Sequence, residues 1–136
     1  MKKDIPFHKV EDLAVAIVPR EDALLIEEEE DLWDVYLLNL RDDSINSVLI
    51  NSRGYGDING EKRLTTVLRH FFDEIGPLAC VQIEPIQTQL FKITNEYWIS
   101  FVHEGYMYDK KYIFVPESIS EMNFTTIPFL NRKGVM

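Results

Sequence analysis

The sequence predicts an all-β fold, an antiparallel immunoglobulin-like sandwich of about seven short strands. Three observations favour it: apolar and polar residues alternate over short runs, turn-forming residues separate these runs, and aromatic residues, mostly Phe and Tyr, make up 12% of the chain. The 136 residues are the usual size of one domain, so we predict a single domain over residues 1–136.

Three strands are predicted in the first half of the chain. Residues 13–18 form an apolar run, residues 33–41 alternate, and the polar turn at 42–44 leads into a strand over 46–52. Between the first two strands lies the acidic run Glu27-Glu28-Glu29-Glu30-Asp31. We interpret it as a solvated loop or helix end that prevents edge pairing, with a site for a cation or a basic partner as the alternative.

Residues 53–75 are the ambiguous part of the sequence. Residues 53–57 are interpreted as a glycine-rich connection, and Asn59-Gly60 is a strong turn signal. Apolar residues between 61 and 75 recur at helical spacing before Gly76-Pro77, which would give an α+β fold with one helix. The same stretch is rich in Thr, Val and Phe, which favour strands, so we predict a strand over about 63–71 and keep the helix as the alternative.

The second half of the chain contains the clearest element, a β-hairpin. A strand over 78–84, closed by Pro85, and a helical turn over 87–91 precede it, and a last edge strand is expected within 124–130. The hairpin joins Tyr97–His103 to Tyr106–Val115 through Glu104-Gly105. A two-residue loop sets its register, with these facing pairs: Tyr97 and Tyr112, Phe101 and Tyr108, Ile99 and Lys110, Ser100 and Asp109, Val102 and Met107, Trp98 and Lys111.

The aromatic face of this hairpin has two interpretations. In the first it is one face of the sandwich core, with tyrosine hydroxyls reaching the rim. In the second the opposite face, which carries Trp98, is the core, and the aromatic face is a partner surface. The candidate interface residues are then Tyr97, Phe101, Tyr108 and Tyr112.

Charge and cysteine content exclude several classes of partner. The net charge of −9 would repel the phosphates of nucleic acid and of anionic membranes, so we expect neither as a partner. No targeting segment is recognised, and no apolar run approaches the about 20 residues of a membrane helix. The single cysteine, Cys80, cannot form an internal disulfide and so gives no sign of an oxidising compartment, which favours a cytoplasmic location. It lies in an apolar stretch and is interpreted as a buried structural thiol.

Catalytic and cofactor motifs are not found in the sequence. The three histidines lack metal-ligand spacing, no phosphate-binding glycine motif occurs, and no nucleophile motif is present, so we predict no metal and no cofactor. One binding hypothesis remains open. Arg53, Tyr55, Arg69 and His70 would converge on an anionic metabolite if the glycine-rich segment folded over the strand carrying Arg69.

Several short motifs resemble those of a family of small uncharacterised bacterial proteins. They are Asn51-Ser52-Arg53-Gly54-Tyr55-Gly56, Leu68-Arg69-His70-Phe71-Phe72, Ile83-Glu84-Pro85-Ile86, Asn95-Glu96-Tyr97-Trp98, Tyr108-Asp109-Lys110-Lys111 and Phe114-Val115-Pro116. Some members carry a label relating them to phenylalanyl-tRNA synthetase, and the resemblance implies no catalytic residue. A synthetase needs a far larger sheet, and a tRNA-binding fragment needs a basic surface, so we do not expect a synthetase-related role.

Two function hypotheses follow from the sequence. The first is a non-enzymatic β-sandwich interaction module that binds a protein partner or self-associates. The second is a small-molecule binding domain, or minor enzyme, that uses Arg53, Tyr55, Arg69 and His70 against an anionic metabolite.

Overall fold

The computed structural model describes residues 10–20 and 32–136, and in these residues it confirms the predicted all-β sandwich. The acidic run at 27–31 lies outside the described residues. Short 3-10 helices cover Thr88–Lys92 and Glu121–Asn123. The strands of the described residues are β1 (Leu13–Pro19), β2 (Leu32–Asn39), β3 (Ile45–Ile58), β4 (Glu61–Leu64), β5 (Leu68–Ile75), β6 (Ala79–Gln87), β7 (Thr94–His103), β8 (Tyr106–Phe114), β9 (Thr125–Ile127) and β10 (Arg132–Gly134).

Two antiparallel sheets form the sandwich. The three-stranded sheet has the order β1-β2-β6. The five-stranded sheet has the order β4-β3-β7-β8, and β5 also pairs with β3, beside β4. The hairpin β9–β10 forms a small third sheet, tied to β1 by a bridge between Ile17 and Val135. The resulting layers bury the inner faces of the two larger sheets against each other.

The long strand β3 differs from the prediction at residues 53–57. These residues continue the strand instead of forming a connection, and the turn follows at Asn59 and Gly60, whose φ angles are 52° and 82°. Gly54 is buried within the strand. A Cβ at this position would lie 3.0 Å from the Ile93 side chain, so only glycine fits there without a shift of its neighbours. The glycines therefore allow close packing inside a strand, a role that their turn propensity concealed.

The helix considered for residues 61–75 is wrong. This segment forms β4 and β5, which pair with the two halves of the same edge of β3 and are separated by residues 65–67. The strand prediction over 63–71 was right in kind, but it merged two strands into one. Tertiary pairing with β3 prevails over the helical spacing of the apolar residues.

Strand β6 and the tail extend beyond their predicted limits. β6 continues through Pro85 to Gln87, which is tolerated because β6 is an edge strand of its sheet. The expected helical turn is present as the 3-10 helix Thr88–Lys92. In the tail, the predicted strand over 124–130 is shorter, and it forms a hairpin with β10.

The hairpin β7–β8 has the predicted register. Tyr97 faces Tyr112, Phe101 faces Tyr108, and Trp98 faces Lys111. The two turn residues adopt positive φ angles, 50° at Glu104 and 82° at Gly105, as a type I′ turn requires. Local turn chemistry thus sets the pairing of every side chain along these strands.

The main core lies between the two larger sheets. Its largest fully buried side chains include Tyr97, Phe101, Leu37, Ile50 and Ile99. Complete burial of one such aliphatic side chain contributes about 1.5–3 kcal/mol relative to an exposed one. A second, smaller cluster covers the outer face of the three-stranded sheet, and its buried members are Ala16, Val18, Leu38 and Ile127. The outer face of the five-stranded sheet, in contrast, carries exposed hydrophobic side chains, among them Leu49, Phe71, Trp98 and Ile113.

Candidate functional site

The four predicted binding residues divide between two faces of the five-stranded sheet. Arg53 and Tyr55 alternate along β3 with the buried Ser52 and Gly54, so both side chains lie on the outer face. Arg69 lies on that face as well and donates to Asn51 Oδ1 at 3.1 Å. His70 faces Ile50 in the register and lies on the inner side, so it does not join the other three. The expected convergence of all four is therefore wrong, because neighbouring residues of a strand point to opposite faces.

The outer face of the five-stranded sheet carries an exposed patch, which we call the Trp98 face. It consists of cross-strand rows read from β5 through β3 and β7 to β8. These rows are Phe71-Leu49-Ser100-Asp109, then Arg69-Asn51-Trp98-Lys111, then Arg53-Glu96-Ile113. The middle row places an indole between two cations.

Glu96 organises the cations of this face. Its side chain is only 6% exposed, and Arg53 Nε donates to its Oε2 at 3.0 Å. Lys111 Nζ lies 3.9 Å from Oε1, and the Tyr55 hydroxyl donates to Oε1 at 3.3 Å. The Arg53 guanidinium also lies 5.2 Å from the centroid of the Tyr55 ring. A buried acid that accepts from several donors holds these long side chains in defined positions.

Trp98 lies at the centre of the Trp98 face and is 43% exposed. Lys111 Nζ is 4.8 Å from the centroid of the indole, a cation–π contact that contributes roughly 0.5–1 kcal/mol at an exposed site. Phe71, 58% exposed, and Leu49 extend the apolar surface in the next row. A cavity of about 260 Å³ on this face is bordered by Trp98, Arg53, Arg69 and Val67.

The hairpin's aromatic face is core, so the interface prediction for its residues is wrong. Tyr97 and Phe101 are each 2% exposed, and Tyr108 and Tyr112 are half-buried. Phe101 stacks on Tyr108 with ring centroids 5.2 Å apart. The three-stranded sheet covers this face, which leaves the opposite face, with Trp98, exposed.

His70 belongs to a polar group on the inner side that the sequence analysis missed. His70 Nε2 is 2.7 Å from Glu84 Oε1, and Ser52 Oγ donates to both oxygens of the Glu84 carboxylate at 2.9 and 3.0 Å. Burial, with a further contribution from the charge of Glu84, raises the pKa of the nearby Tyr97. The signal in the sequence was an acid within the apolar run of β6.

Another titratable cluster joins the turn after β2 to the turn after β7. Asp43 Oδ2 is 2.7 Å from His103 Nε2, and Arg41 Nε donates to Asp43 Oδ1 at 3.0 Å. These hydrogen bonds, the one from His103 first, lower the pKa of Asp43. Asp43, His103 and Glu104 each offer one potential metal-ligand atom, and these three atoms lie within 4.8 Å of one another. Because the Arg41 charge already balances Asp43 within its own turn, we interpret the cluster as a structural contact in which the hydrogen bond between Asp43 and His103 joins the two turns.

Cys80 lies in β6 opposite Leu38 and packs against the smaller cluster. Burial raises the pKa of its thiol, which lowers the fraction of reactive thiolate. No helix within residues 10–20 and 32–136 has the length and apolar character to cross a bilayer.

Neither a scan against protein-family models nor a search of curated proteins gave a match to this chain. The resemblance to the small bacterial family therefore stays a prediction.

Proposed function

We propose that this chain is a non-enzymatic interaction module that docks a protein partner through the Trp98 face. One observation carries the proposal: Trp98 is exposed on the outer face of the five-stranded sheet, in one row with Arg69 and Lys111. Trp, Tyr and Arg are the residue types that dominate binding energy in protein interfaces. The hypothesis thus moves from the aromatic face of the hairpin to its opposite face.

Charge indicates the chemistry of the partner. The chain as a whole carries −9, yet Arg53, Arg69 and Lys111 gather in two adjacent rows of the Trp98 face. The acid in these two rows, Glu96, is buried and paired, and Asp109 of the neighbouring row lies on the edge strand β8. The complementary partner has acidic side chains around an apolar centre. Two copies placed face to face would oppose their cations, which disfavours a symmetric dimer through this surface.

Selection from a displayed random-peptide library tests this proposal. We expect the immobilised chain to enrich peptides that combine Asp or Glu with apolar residues. Trp98→Ala should weaken their binding about 30-fold, the loss of a hot spot worth about 2 kcal/mol. Phe129→Ala is the matched control because Phe129 is an exposed aromatic residue in the loop between β9 and β10. Circular dichroism checks that both variants fold.

Three results would contradict the docking proposal. The first is failure to enrich any peptide, and the second is enrichment of basic peptides. The third is equal loss of binding in the Phe129→Ala control. A dimer in analytical ultracentrifugation that Trp98→Ala dissociates would show that a second copy, and not an acidic partner, covers the face.

A second candidate function is binding of an anionic metabolite in the cavity of about 260 Å³ on the same face. Arg53 and Arg69 both border it, which preserves two of the four residues of the original hypothesis. Thermal-shift titration with citrate and pyrophosphate tests this function. Stabilisation that disappears when both arginines are changed to Gln supports it, and stabilisation that survives the double substitution rules this site out.

We further infer that the sandwich is immunoglobulin-like. Support comes from the strand order, because β1-β2-β6 facing β5-β3-β7-β8 corresponds to strands A-B-E facing C′-C-F-G of that architecture. In this correspondence the Trp98 face is the outer surface of the C′-C-F-G sheet.

A further inference from the structure

A cavity of about 450 Å³ opens beside the inner side of β3, and its lining shares Ser52 and Arg53 with the smaller cavity on the Trp98 face. It lies between residues 65–68 and β3 of one sheet and β6 of the other. Its apolar lining includes Leu32, Leu68, Ile86, Leu90 and Tyr97. This volume is within the range of about 300–1,000 Å³ that is typical of small-molecule sites.

One acidic side chain is built into the wall of this cavity. The Glu84 side chain is 10% exposed, and it points inward from the three-stranded sheet to Ser52 and His70 of the facing sheet. The Glu84 carboxyl group has two neighbours at hydrogen-bond distance, Ser52 Oγ at 2.9 Å and His70 Nε2 at 2.7 Å. A carboxylate has about four acceptor positions, so these two neighbours do not fill them. Glu84 can accept further hydrogen bonds.

Among the described residues that line the cavity, no Lys or Arg contacts Glu84; His70, which does contact it, is not a lining residue. Arg53 contributes to the lining, but its guanidinium lies on the outer face of the sheet, 3.0 Å from Glu96. The remaining polar groups of the lining are neutral, among them Thr66, Gln87 and Asn95. A ligand that fits therefore combines an apolar body with a cationic N–H donor.

We propose that this cavity binds a small primary amine with an apolar body, whose ammonium group donates to the Glu84 carboxylate. The site is independent of the docking proposal, since it uses the inner side of the five-stranded sheet. It also reverses the sign of the ligand expected from the sequence, because the inner face brings His70 to an acid instead of to arginines.

Calorimetric titration with charge-matched probes tests this site. The probes are 2-phenylethylamine, the neutral 2-phenylethanol and the anionic 3-phenylpropanoate. We expect saturable binding of the amine with a Kd below about 1 mM, at least tenfold weaker binding of the alcohol, and no binding of the acid. In NMR spectra of the wild-type chain, the amine should shift the backbone amides of Gly54, Gln87 and Asn95 and leave the Trp98 indole signal unchanged.

Substitution of Glu84 completes the test. Glu84→Gln keeps the size of the side chain, removes its charge and replaces one acceptor oxygen with an NH2 donor, and we expect it to reduce amine affinity at least tenfold. Glu96→Gln removes the same charge from the outer face and should leave the affinity unchanged. Equal binding of amine and alcohol, undiminished binding by Glu84→Gln, or absence of amine binding and amide shifts in the wild type would each overturn the proposal.

Discussion

Gly105 occupies the second position of the turn between β7 and β8, with a φ of 82°. A Cβ built on it meets no heavy atom within 4 Å. Replacing this glycine therefore perturbs only the backbone, since nothing surrounds the added side chain. The left-handed conformation costs an L-residue about 1–2 kcal/mol, and β-branched residues tolerate it least.

The net effect also includes the unfolded chain. Substituting glycine by alanine reduces the conformational entropy of the unfolded state, which by itself stabilises the folded state by about 0.4–1 kcal/mol. We therefore expect Gly105→Ala to destabilise the fold by about 1 kcal/mol and Gly105→Val by about 1–2 kcal/mol. Gly105→Asn should cost less than either, because Asn tolerates positive φ.

Two other glycines serve as references for this series. Gly60 has the same φ of 82° and equally open surroundings, so Gly60→Ala should resemble Gly105→Ala. Gly76 is also open, but its φ is not in the left-handed region. Gly76→Ala should therefore be neutral, or stabilising by about 0.4–1 kcal/mol.

Urea unfolding, followed by tryptophan fluorescence and far-ultraviolet circular dichroism, measures these differences. With an m-value of about 2 kcal/mol per molar urea, a loss of 1 kcal/mol lowers the midpoint by about 0.5 M. A Gly105→Val midpoint equal to that of the wild type would refute the turn argument. So would an equal loss in Gly76→Ala and Gly105→Ala, because backbone strain would then not explain the difference.

Three further predictions concern charge, an orphan hydroxyl and a close backbone approach. The hydrogen bond with His103 lowers the pKa of Asp43, so the stabilising contribution of Asp43 is complete above the unfolded pKa of 3.8 and is lost as pH falls through the folded pKa. Asp43→Asn should therefore reduce the loss of unfolding free energy at acid pH. A loss equal to that of the wild type would contradict this prediction. The Tyr112 hydroxyl is buried with no hydrogen-bond partner among the described residues, so Tyr112→Phe should be neutral or stabilise by about 1 kcal/mol in urea unfolding. Burial raises the pKa of Tyr112 to about 12, so the same variant should lose less stability than the wild type between pH 10 and 12; an equal loss would argue against this assignment. A Cβ on Gly134 would lie 2.7 Å from the Ile17 carbonyl oxygen, so Gly134→Ala should lower the free energy of unfolding by about 1–3 kcal/mol. A urea midpoint equal to that of the wild type would contradict this, because β10 would then move away from β1 without cost.

The candidate site was predicted in part. Arg53, Tyr55 and Arg69 do share a surface, and the contact of Trp98 with Lys111 was expected from the hairpin register. Glu96 was missed, although the register with β3 brings it to Arg53 across 43 positions of sequence. A pairing between strands that are distant in the chain leaves no local signal in either strand.

Local chemistry determined what the sequence by itself could predict. The hairpin register depends on the two-residue turn Glu104-Gly105, in which Gly105 accepts positive φ without steric cost and so favours the turn that fixes every pair beyond it. The fold class followed in the same way from alternation and turns. These properties depend on residues that are close together in the chain, so they can be predicted from the sequence alone.

Only the tertiary structure decided which side of that hairpin is core. Both faces are apolar, and the choice depends on where the three-stranded sheet packs. The same holds for Gly54, which is read locally as a turn residue but fits within a strand because Ile93 packs against it. It holds for Glu84 and His70, which meet only because two sheets face each other. Burial is a property of the assembled layers, because covering one face determines which side chains lose contact with water.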